Sequence, residues 1–318
     1  MQLRFLIVLL VILFFSPLTM ADTYFANQPK VKKFITQMVH QHHFNRKKLI
    51  ALFNQVKIKP AIMQSIKTPL EKKPWYTYQM LFVTEWRIRQ GVHFWNKYQK
   101  ALEKAEKTYG VPASIIVATI GVETKYGKHT GNYRVIDALS NIAFSDSPRS
   151  PFFRKELEQF LLLTREQHLN PLKVMGSYAG AIGQPQFMPS SYRHYAVNFS
   201  GNPKIDLSNN EIDVIGSIAN YYKKHGWKPQ QPVAIKTALK GKKYGFLTSS
   251  QVNLADYGLS TAQKAKLIEL ENYFGREYWL SFHNFDVIKR YNPSDLYAMA
   301  VYQLSYYISM LKGKPTHD

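Results

Sequence analysis

Apolar residues recur at helical spacing along much of the chain, and this pattern predicts most of its elements. Residues 27–70 carry apolar positions three or four apart, which is typical of a small helical region. A long amphipathic pattern over residues 81–110 predicts one helix that ends at Gly110. The same spacing over residues 152–168 and 211–225 predicts two more helices, and SDLYAMAVYQLSYYISMLK predicts a last one near the C-terminus.

The pattern changes in two places. The stretch GSYAGAIGQPQFMPSSY is rich in glycine, proline and serine, which predicts a loop. After Trp227 the segments PVAIKTAL and REYWLSFHNFDVIKRY are rich in β-branched and aromatic residues, so residues 228–289 are expected to form a small β-rich insert. The chain is therefore predicted to be α+β and mainly α.

Residues 1–21 have the organisation of a secretory signal peptide. The basic start MQLR is followed by the apolar run FLIVLLVILFF and then by SPLTMA, which ends at Ala21. The apolar run is short for a membrane-spanning helix. We expect cleavage after Ala21 and a periplasmic protein, with an uncleaved inner-membrane anchor as the alternative.

Charge and cysteine content restrict the function further. The 318 residues include 42 Lys and Arg against 21 Asp and Glu, a net charge of +21, which favours polyanionic partners. Because the chain carries an export signal, the expected polyanion is cell-wall glycan with acidic peptides, or lipopolysaccharide, rather than nucleic acid. The alternative is that the basic surface serves only solubility. The absence of cysteine excludes disulfides, thiolate metal sites, cysteine nucleophiles and a lipid anchor on an N-terminal cysteine.

Glu123 stands out because it follows a run of apolar residues, 111–120, that predicts a buried helix. Apolar residues three and seven positions earlier share its helix face, and it falls in the last turn before a glycine. Desolvation and the negative end of the helix dipole both predict a raised pKa for Glu123, which suits a proton donor. A structural glutamate paired with Lys125, Lys128 or an arginine is the alternative.

Other sequence features add few catalytic groups. There is no G-x-S-x-G elbow, no H-E-x-x-H motif, no P-loop and no dinucleotide fingerprint. His40, His42 and His43 lack a supporting carboxylate, so a solvated helix face is expected there rather than a metal site. No cofactor and no metal are predicted.

Ordinary glycosidases use two carboxylates, yet no convincing partner for Glu123 is evident. Asp137, Asp146 and Glu156 follow it, and a cap or hydrogen-bonding role is expected for Asp137. The loop that begins at Gly176 supplies polar side chains among glycines that would let a ligand approach the backbone: Ser177, Tyr178, Gln186, Ser190 and Ser191.

Four blocks in the same order, GVETKYG, GSYAGAIGQPQFMPSSYRHYAV, IGSIANYYKKHGW and RYNPSDLYAMAV, resemble the membrane-bound lytic murein transglycosylase B family. The likeness covers residues 30–314. It implies a lysozyme-like helical core with an added N-terminal helical lobe and a small β-rich insert. The implied boundaries are an N-terminal lobe at 22–95, a catalytic core at 96–227, the insert at 228–289 and a returning C-terminal helix at 290–318.

The resemblance also implies a reaction. Members cleave the β-1,4 bond between N-acetylmuramic acid and N-acetylglucosamine in peptidoglycan, and the muramic acid's own C6 hydroxyl attacks C1 to leave a 1,6-anhydromuramoyl end. A lone Glu123 would act first as the acid and then as the base. A hydrolytic muramidase and a non-catalytic cell-wall-binding protein are the alternatives.

Further site residues follow only from the resemblance. Arg149 would meet a peptide or lactyl carboxylate, although some members carry a second arginine where this chain has Ser150. A calcium loop of the best-known member corresponds to residues 198–213, whose side chains favour a capped loop instead. The implied partners are glycan strands and, beyond them, cell-wall synthesis proteins, with the chain itself a monomer. The residues implied to contact sugar are Ser177, Gln186, Tyr291, Asn292, Tyr297 and Tyr78.

Overall fold

Helices account for most of the residues in the structure, which is a computed structural model that describes residues 25–67, 73–237 and 264–313. The predicted signal peptide, 1–21, lies outside these residues. Within them, no helix has both the length and the apolar character needed to cross a membrane. The α-helices are α1 Pro29–His42, α2 Arg46–Phe53, α3 Pro60–Lys67, α4 Trp75–Phe82, α5 Glu85–Lys97, α6 Gln99–Tyr109, α7 Ala113–Thr124, α8 Val135–Ala143, α9 Ser150–Glu166, α10 Pro189–Tyr195, α11 Glu211–Lys224, α12 His283–Ile288 and α13 Asp295–Lys312.

The chain forms two compact units, Met1–Val56 and Lys57–Asp318. In the first unit, a short 3-10 helix at Phe25–Asn27 precedes α1 and α2, which bury their apolar faces. Phe34 and Phe53 meet edge to face, with ring centroids 5.9 Å apart. Such aromatic pairs add about 0.5–1.5 kcal/mol beyond the area that they bury.

The lobe predicted at residues 22–95 stays a prediction, and the first compact unit ends within it, at Val56. Helices α4 and α5 belong to the second unit because they pack against α13, and α5 also packs against α7. Hydrophobic periodicity identifies an amphipathic helix, but it does not identify the helix against which the apolar face packs.

Helix α7 lies at the centre of the second unit, where α5, α6, α11 and α13 pack against it. Its residues from Ile115 to Val122 are all buried, as the apolar run predicted. The expected α+β, mainly α fold with a lysozyme-like helical core is confirmed. The single helix predicted over residues 81–110 is wrong: Thr84 caps α5, and the backbone at Tyr98 (φ −111°, ψ 25°) separates α5 from α6.

Two small antiparallel sheets accompany the helices. Strand β1, Tyr133–Arg134, pairs with β2, Met175–Gly176. The second sheet has the order β3–β5–β4, and the predicted β-rich insert is confirmed there as far as the structure describes it, since residues 238–263 lie outside the described ranges. Ala265, Leu280 and Phe282 form a small apolar cluster that includes part of this sheet. The strands are β3 Ala234–Thr237, β4 Lys266–Asn272 and β5 Gly275–Ser281.

Candidate active site

Glu123 is half-buried in the last turn of α7, in agreement with the position that the sequence predicts. The helix ends sharply because Lys125, Tyr126 and Gly127 all adopt left-handed backbone angles, with φ of 51°, 58° and 83°. The amides of Lys125 and Tyr126 donate to the carbonyls of Gly121 and Ile120, at 3.2 and 3.3 Å. These bonds satisfy carbonyls that a helix C-terminus otherwise leaves unpaired, and they fix the turn that carries Glu123.

The glycine that opens GVETKYG is needed for packing. Tyr126 folds back over α7 and donates its hydroxyl to the carbonyl of Arg87, at 2.7 Å. A Cβ at Gly121 would lie 2.5 Å from that hydroxyl, and one at Gly91 would lie 2.7 Å from it. Small residues on α5 and α7 therefore make room for the tyrosine.

Arg87 secures the same helix end from α5. Its side chain is buried, and Nε donates to the carbonyl of Gly121 at 3.0 Å while Nη1 donates to the carbonyl of Leu81. Burial lowers the pKa of Arg87, with the nearby Tyr126 acting in the opposite direction. A guanidinium that bonds carbonyls at the end of α7 offsets the negative end of the helix dipole two residues before Glu123.

Tyr297 supplies a direct partner for Glu123. Its hydroxyl donates to Oε1 of Glu123 at 2.5 Å from the first turn of α13, where Ser294 caps the helix. Only 2% of Tyr297 is exposed, and burial followed by the negative charge of Glu123 raises its pKa well above 10.0. The tyrosine therefore stays neutral and donates a hydrogen bond that favours the ionised carboxylate.

Further tyrosines surround this pair. Tyr291 stacks on Tyr297 with ring centroids 6.3 Å apart and donates its hydroxyl to the carbonyl of Pro185 at 2.5 Å. Tyr221 and Tyr222 from α11 lie 4.8 and 5.6 Å from the ring of Tyr291. Burial is the main cause of the raised pKa of each of these three tyrosines, and the charge of Glu123 adds to it.

Sequence reasoning missed the two tyrosines of α11. They lie in IGSIANYYKKHGW, where buried tyrosines stand among apolar residues of one helix. A tyrosine on the apolar face of a helix usually finds a partner for its hydroxyl when it is buried, and this was the signal available. Tyr221 donates to the carbonyl of Arg290 at 2.6 Å, and Tyr222 bonds Thr119 at 2.8 Å.

The loop that carries Ser177 and Gln186 is linked to the tyrosines around Glu123 through Pro185. Gln186 follows Pro185, which accepts the hydroxyl of Tyr291, and its own Nε2 donates to the carbonyls of Thr130 and Gly183 at 3.1 and 2.9 Å. Ser177 is half-buried, and its Oγ accepts the amide of Ala181 at 3.1 Å. Asn292, also half-buried, comes directly after Tyr291.

Two predicted residues have different surroundings. Tyr78 is only 2% exposed, and its ring stacks against Trp75 and Phe82, with centroids 6.5 and 4.5 Å away. Arg149 is exposed just before α9, and its guanidinium lies 5.1 Å from the ring centre of Phe153. Tyr78 therefore packs within the core in this structure, while Arg149 remains open to an anionic ligand.

Protein atoms pack closely against the glycines of the loop. The sequence suggested instead that these glycines let a ligand approach the backbone, and that reason is corrected here. A Cβ at Gly176 would lie 2.2 Å from the carbonyl oxygen of Ala181, and one at Gly183 would lie 2.4 Å from that of Leu207. Both glycines are buried. They allow the loop to fold tightly on itself and so to hold Ser177 and Gln186 in place.

Two of the acidic residues that follow Glu123 are already engaged. Asp137 is fully buried, accepts two bonds of 2.7 Å from Arg134 and also accepts the amide of Lys57 at 2.9 Å. Glu156 accepts the amide and the hydroxyl of Ser190, at 3.0 and 2.7 Å. The hydrogen-bonding role predicted for Asp137 is confirmed, and both carboxylates are occupied by hydrogen bonds to other protein groups.

The segment 198–213 forms the capped loop that the sequence favours. The carboxylate of Asp213 is fully buried and accepts the amides of Phe199, Ser200 and Asp206 at 2.9, 2.9 and 3.1 Å. Asn210 caps α11 by accepting the amides of the two residues that follow Glu211. Across the described ranges, no group of three or more His, Cys, Asp or Glu residues could hold a metal ion.

A lysozyme-like helical core that holds one glutamate beside a tyrosine hydroxyl defines an enzyme of the lysozyme-like class. Residues 26–306 match the transglycosylase SLT domain, and the chain belongs to this family. It is 40% identical over 307 residues to membrane-bound lytic murein transglycosylase B of Escherichia coli (strain K12), an alignment that covers 91% of this chain and 85% of that protein.

Solved structures agree with this assignment. The soluble lytic transglycosylase SltB1 from Pseudomonas aeruginosa matches with a TM-score of 0.82 and 44% identity over 90% of this chain and 100% of the other. SltB3 from the same organism, in complex with NAG-NAM-pentapeptide, matches with a TM-score of 0.76 and 27% identity over 89% of this chain and 79% of the other.

Proposed function

We propose that this chain is a lytic transglycosylase that cleaves the β-1,4 bond between N-acetylmuramic acid and N-acetylglucosamine in peptidoglycan. The observation that carries the proposal is the placement of Glu123 at the end of α7, with Tyr297 donating to its carboxylate at 2.5 Å. The family and the relatives described above support the same activity.

The reaction needs one carboxyl group. Glu123 in its protonated form donates its proton to the glycosidic oxygen as the bond from that oxygen to C1 breaks. The resulting carboxylate then accepts the proton of the C6 hydroxyl as the C6 oxygen bonds to C1, and this closes the 1,6-anhydro ring. No enzyme nucleophile is required, which is consistent with the engagement of Asp137 and Glu156 elsewhere.

We propose that Tyr297 positions Glu123 and that Tyr291, Asn292, Ser177 and Gln186 contact the sugars. Hydrogen bonds and ring stacking connect Glu123, Tyr297, Tyr291 and the backbone next to Gln186, which supports a common groove. Aromatic rings with a polar edge suit sugars, which present both an apolar face and hydroxyl groups.

Arg149 is proposed to meet a lactyl or peptide carboxylate, since its guanidinium is exposed and arginine binds carboxylates through paired donors. For Tyr78 we propose a supporting role in the packing around α4, because its ring is buried.

We further propose that the protein acts in the periplasm as a monomer. The basic start and apolar run of residues 1–21 support export, and the net charge of +21 supports attraction to the acidic cell wall. Glycan strands are its proposed partner, and association with cell-wall synthesis proteins would place it near new substrate.

Mass spectrometry of soluble fragments tests the proposal. Purified peptidoglycan is digested with residues 22–318 and, separately, with the Glu123→Gln variant, which keeps the shape of the side chain but has no acidic proton to transfer. Anhydromuramoyl fragments from the first protein and none from the second are expected. Hydrated reducing ends would identify a hydrolase, and the absence of fragments from folded wild-type protein would indicate a wall-binding protein without turnover.

A further inference from the structure

The pair Trp86 and Lys128 has no role in the site described so far. Trp86 lies in the first turn of α5 and leaves 41% of its surface exposed. The ammonium of Lys128 lies 4.7 Å from the centre of its ring. The neighbouring Glu85 is paired with Arg89 at 2.7 Å. A single exposed aromatic residue is common on protein surfaces. Whether this pair has a function is therefore judged from its location.

The pair lies at the segment 124–130, which leads from Glu123 to the loop that carries Gln186. Trp86 precedes Arg87, whose side chain bonds the carbonyl of Gly121 on α7. Lys128 follows the left-handed turn after Glu123, and the next amide, of His129, donates to the carbonyl of Thr124 at 3.0 Å. Trp86 is thus held next to the C-terminal end of α7 through Arg87, and Lys128 through the turn that follows Glu123.

The same segment then reaches Gln186. The carbonyl of Thr130 accepts Nε2 of Gln186 at 3.1 Å, and Thr130 is two residues after Lys128. Two extended residues span at most about 7 Å. The Cα atom of Lys128 is therefore within about 7 Å of that of Thr130, and an indole with a cation over its face stands beside the proposed groove.

We propose that Trp86 and Lys128 form a further subsite for the peptidoglycan strand, an inference that rests on the proposed function. The indole would stack on the apolar face of a sugar ring, and the ammonium of Lys128 would pair with a carboxylate of the lactyl group or stem peptide. Tryptophan offers a large rigid surface and lysine a compact, mobile charge, which together match a ligand that is part sugar and part acid.

Binding to defined ligands tests the subsite. Calorimetry compares the Glu123→Gln protein with the same protein that also carries Trp86→Ala or Lys128→Gln. The ligands are tetrasaccharides of alternating N-acetylmuramic acid and N-acetylglucosamine, with and without stem peptides. We expect Trp86→Ala to raise Kd by about two- to twelvefold for both ligands, the range that corresponds to an aromatic contact. Lys128→Gln should weaken the peptide-bearing ligand more than the bare glycan.

The control is Phe274→Ala, which removes another exposed aromatic side chain, 98% exposed at the tip of the β4–β5 hairpin. It should leave both Kd values unchanged. If Trp86→Ala and Lys128→Gln behave like this control, the subsite is refuted. If Trp86→Ala fails to fold, the Lys128→Gln comparison decides, since that side chain is exposed.

The product analysis separates this inference from the function on which it rests. The formation of anhydro products depends on Glu123. The subsite is measured by binding, in a protein that already lacks that acid. A hydrolytic product together with weaker binding by the two variants would correct the reaction and keep the subsite. Anhydro products together with unchanged binding would keep the reaction and refute the subsite.

Discussion

Tyr297→Phe is the substitution that most directly probes the proton affinity of Glu123, the proposed catalytic acid. The change removes one hydroxyl and keeps the buried ring that stacks against Tyr291. In the native protein that hydroxyl donates to Oε1 of Glu123 at 2.5 Å, and it donates because burial and the adjacent charge keep the pKa of Tyr297 well above 10.0.

The size and sign of the effect follow from this bond. A hydrogen bond to a charged group is worth about 1.5–3 kcal/mol, and one pKa unit corresponds to about 1.4 kcal/mol. The hydroxyl favours the ionised carboxylate, so without it Glu123 holds its proton to a higher pH. Because the first step needs the protonated acid, the alkaline limb of the activity profile should move upward by about 1–2 units.

The assay is the pH dependence of kcat/KM for release of anhydromuramoyl fragments. Tyr222→Phe is the matched control, because it removes an equally buried hydroxyl that bonds Thr119 at 2.8 Å instead of Glu123. The control is expected to keep the alkaline limb of the wild-type enzyme. The reasoning is refuted if the limb of Tyr297→Phe stays in place or moves to lower pH while the protein remains folded.

Three further predictions concern stability, metal and charge. Gly121→Ala should lower the free energy of unfolding by about 1–3 kcal/mol, since the new Cβ would meet the Tyr126 hydroxyl at 2.5 Å. Denaturant titration compares it with Gly313→Ala, whose nearest contact to the new Cβ is at 3.5 Å. An equal loss of stability in both variants would contradict the prediction. Calcium and EDTA should give the same Tm by calorimetry, because Asp213 already accepts three backbone amides; a calcium-dependent rise would show a site there. Activity should fall as salt is raised, because the net charge of +21 attracts an acidic polymer, and a flat response would reject electrostatic capture.

The position of Glu123 was predictable because the information is local. Residues 111–120 are mostly apolar, which indicates burial, and Gly127 marks the turn that follows the helix. The break at Tyr98 was not predictable by the same reasoning, since the apolar spacing continues across a single non-helical residue. Periodicity reports which face of a helix is buried and is insensitive to a small change in helix direction.

The contacts that shape the site are remote in sequence. Arg87 bonds Gly121 across 34 residues, and Tyr297 bonds Glu123 across 174. No local pattern specifies such pairs, so Tyr297 entered only through the family resemblance and Arg87 did not enter at all. The glycines of the loop were recognised as important but for the wrong reason, because the atoms packed against them belong to the protein itself, partly to the same loop and partly to remote segments.

The surroundings of Glu123 combine two opposite influences, and the sequence revealed only one. Burial and the C-terminal end of α7 disfavour a negative charge, whereas the hydroxyl of Tyr297 at the N-terminal end of α13 favours it. A group that must give a proton and take one back within a single reaction works best when neither form is strongly preferred. The meeting of one helix end with the start of another provides this balance, and it would allow a single carboxyl group to serve both steps of the proposed reaction.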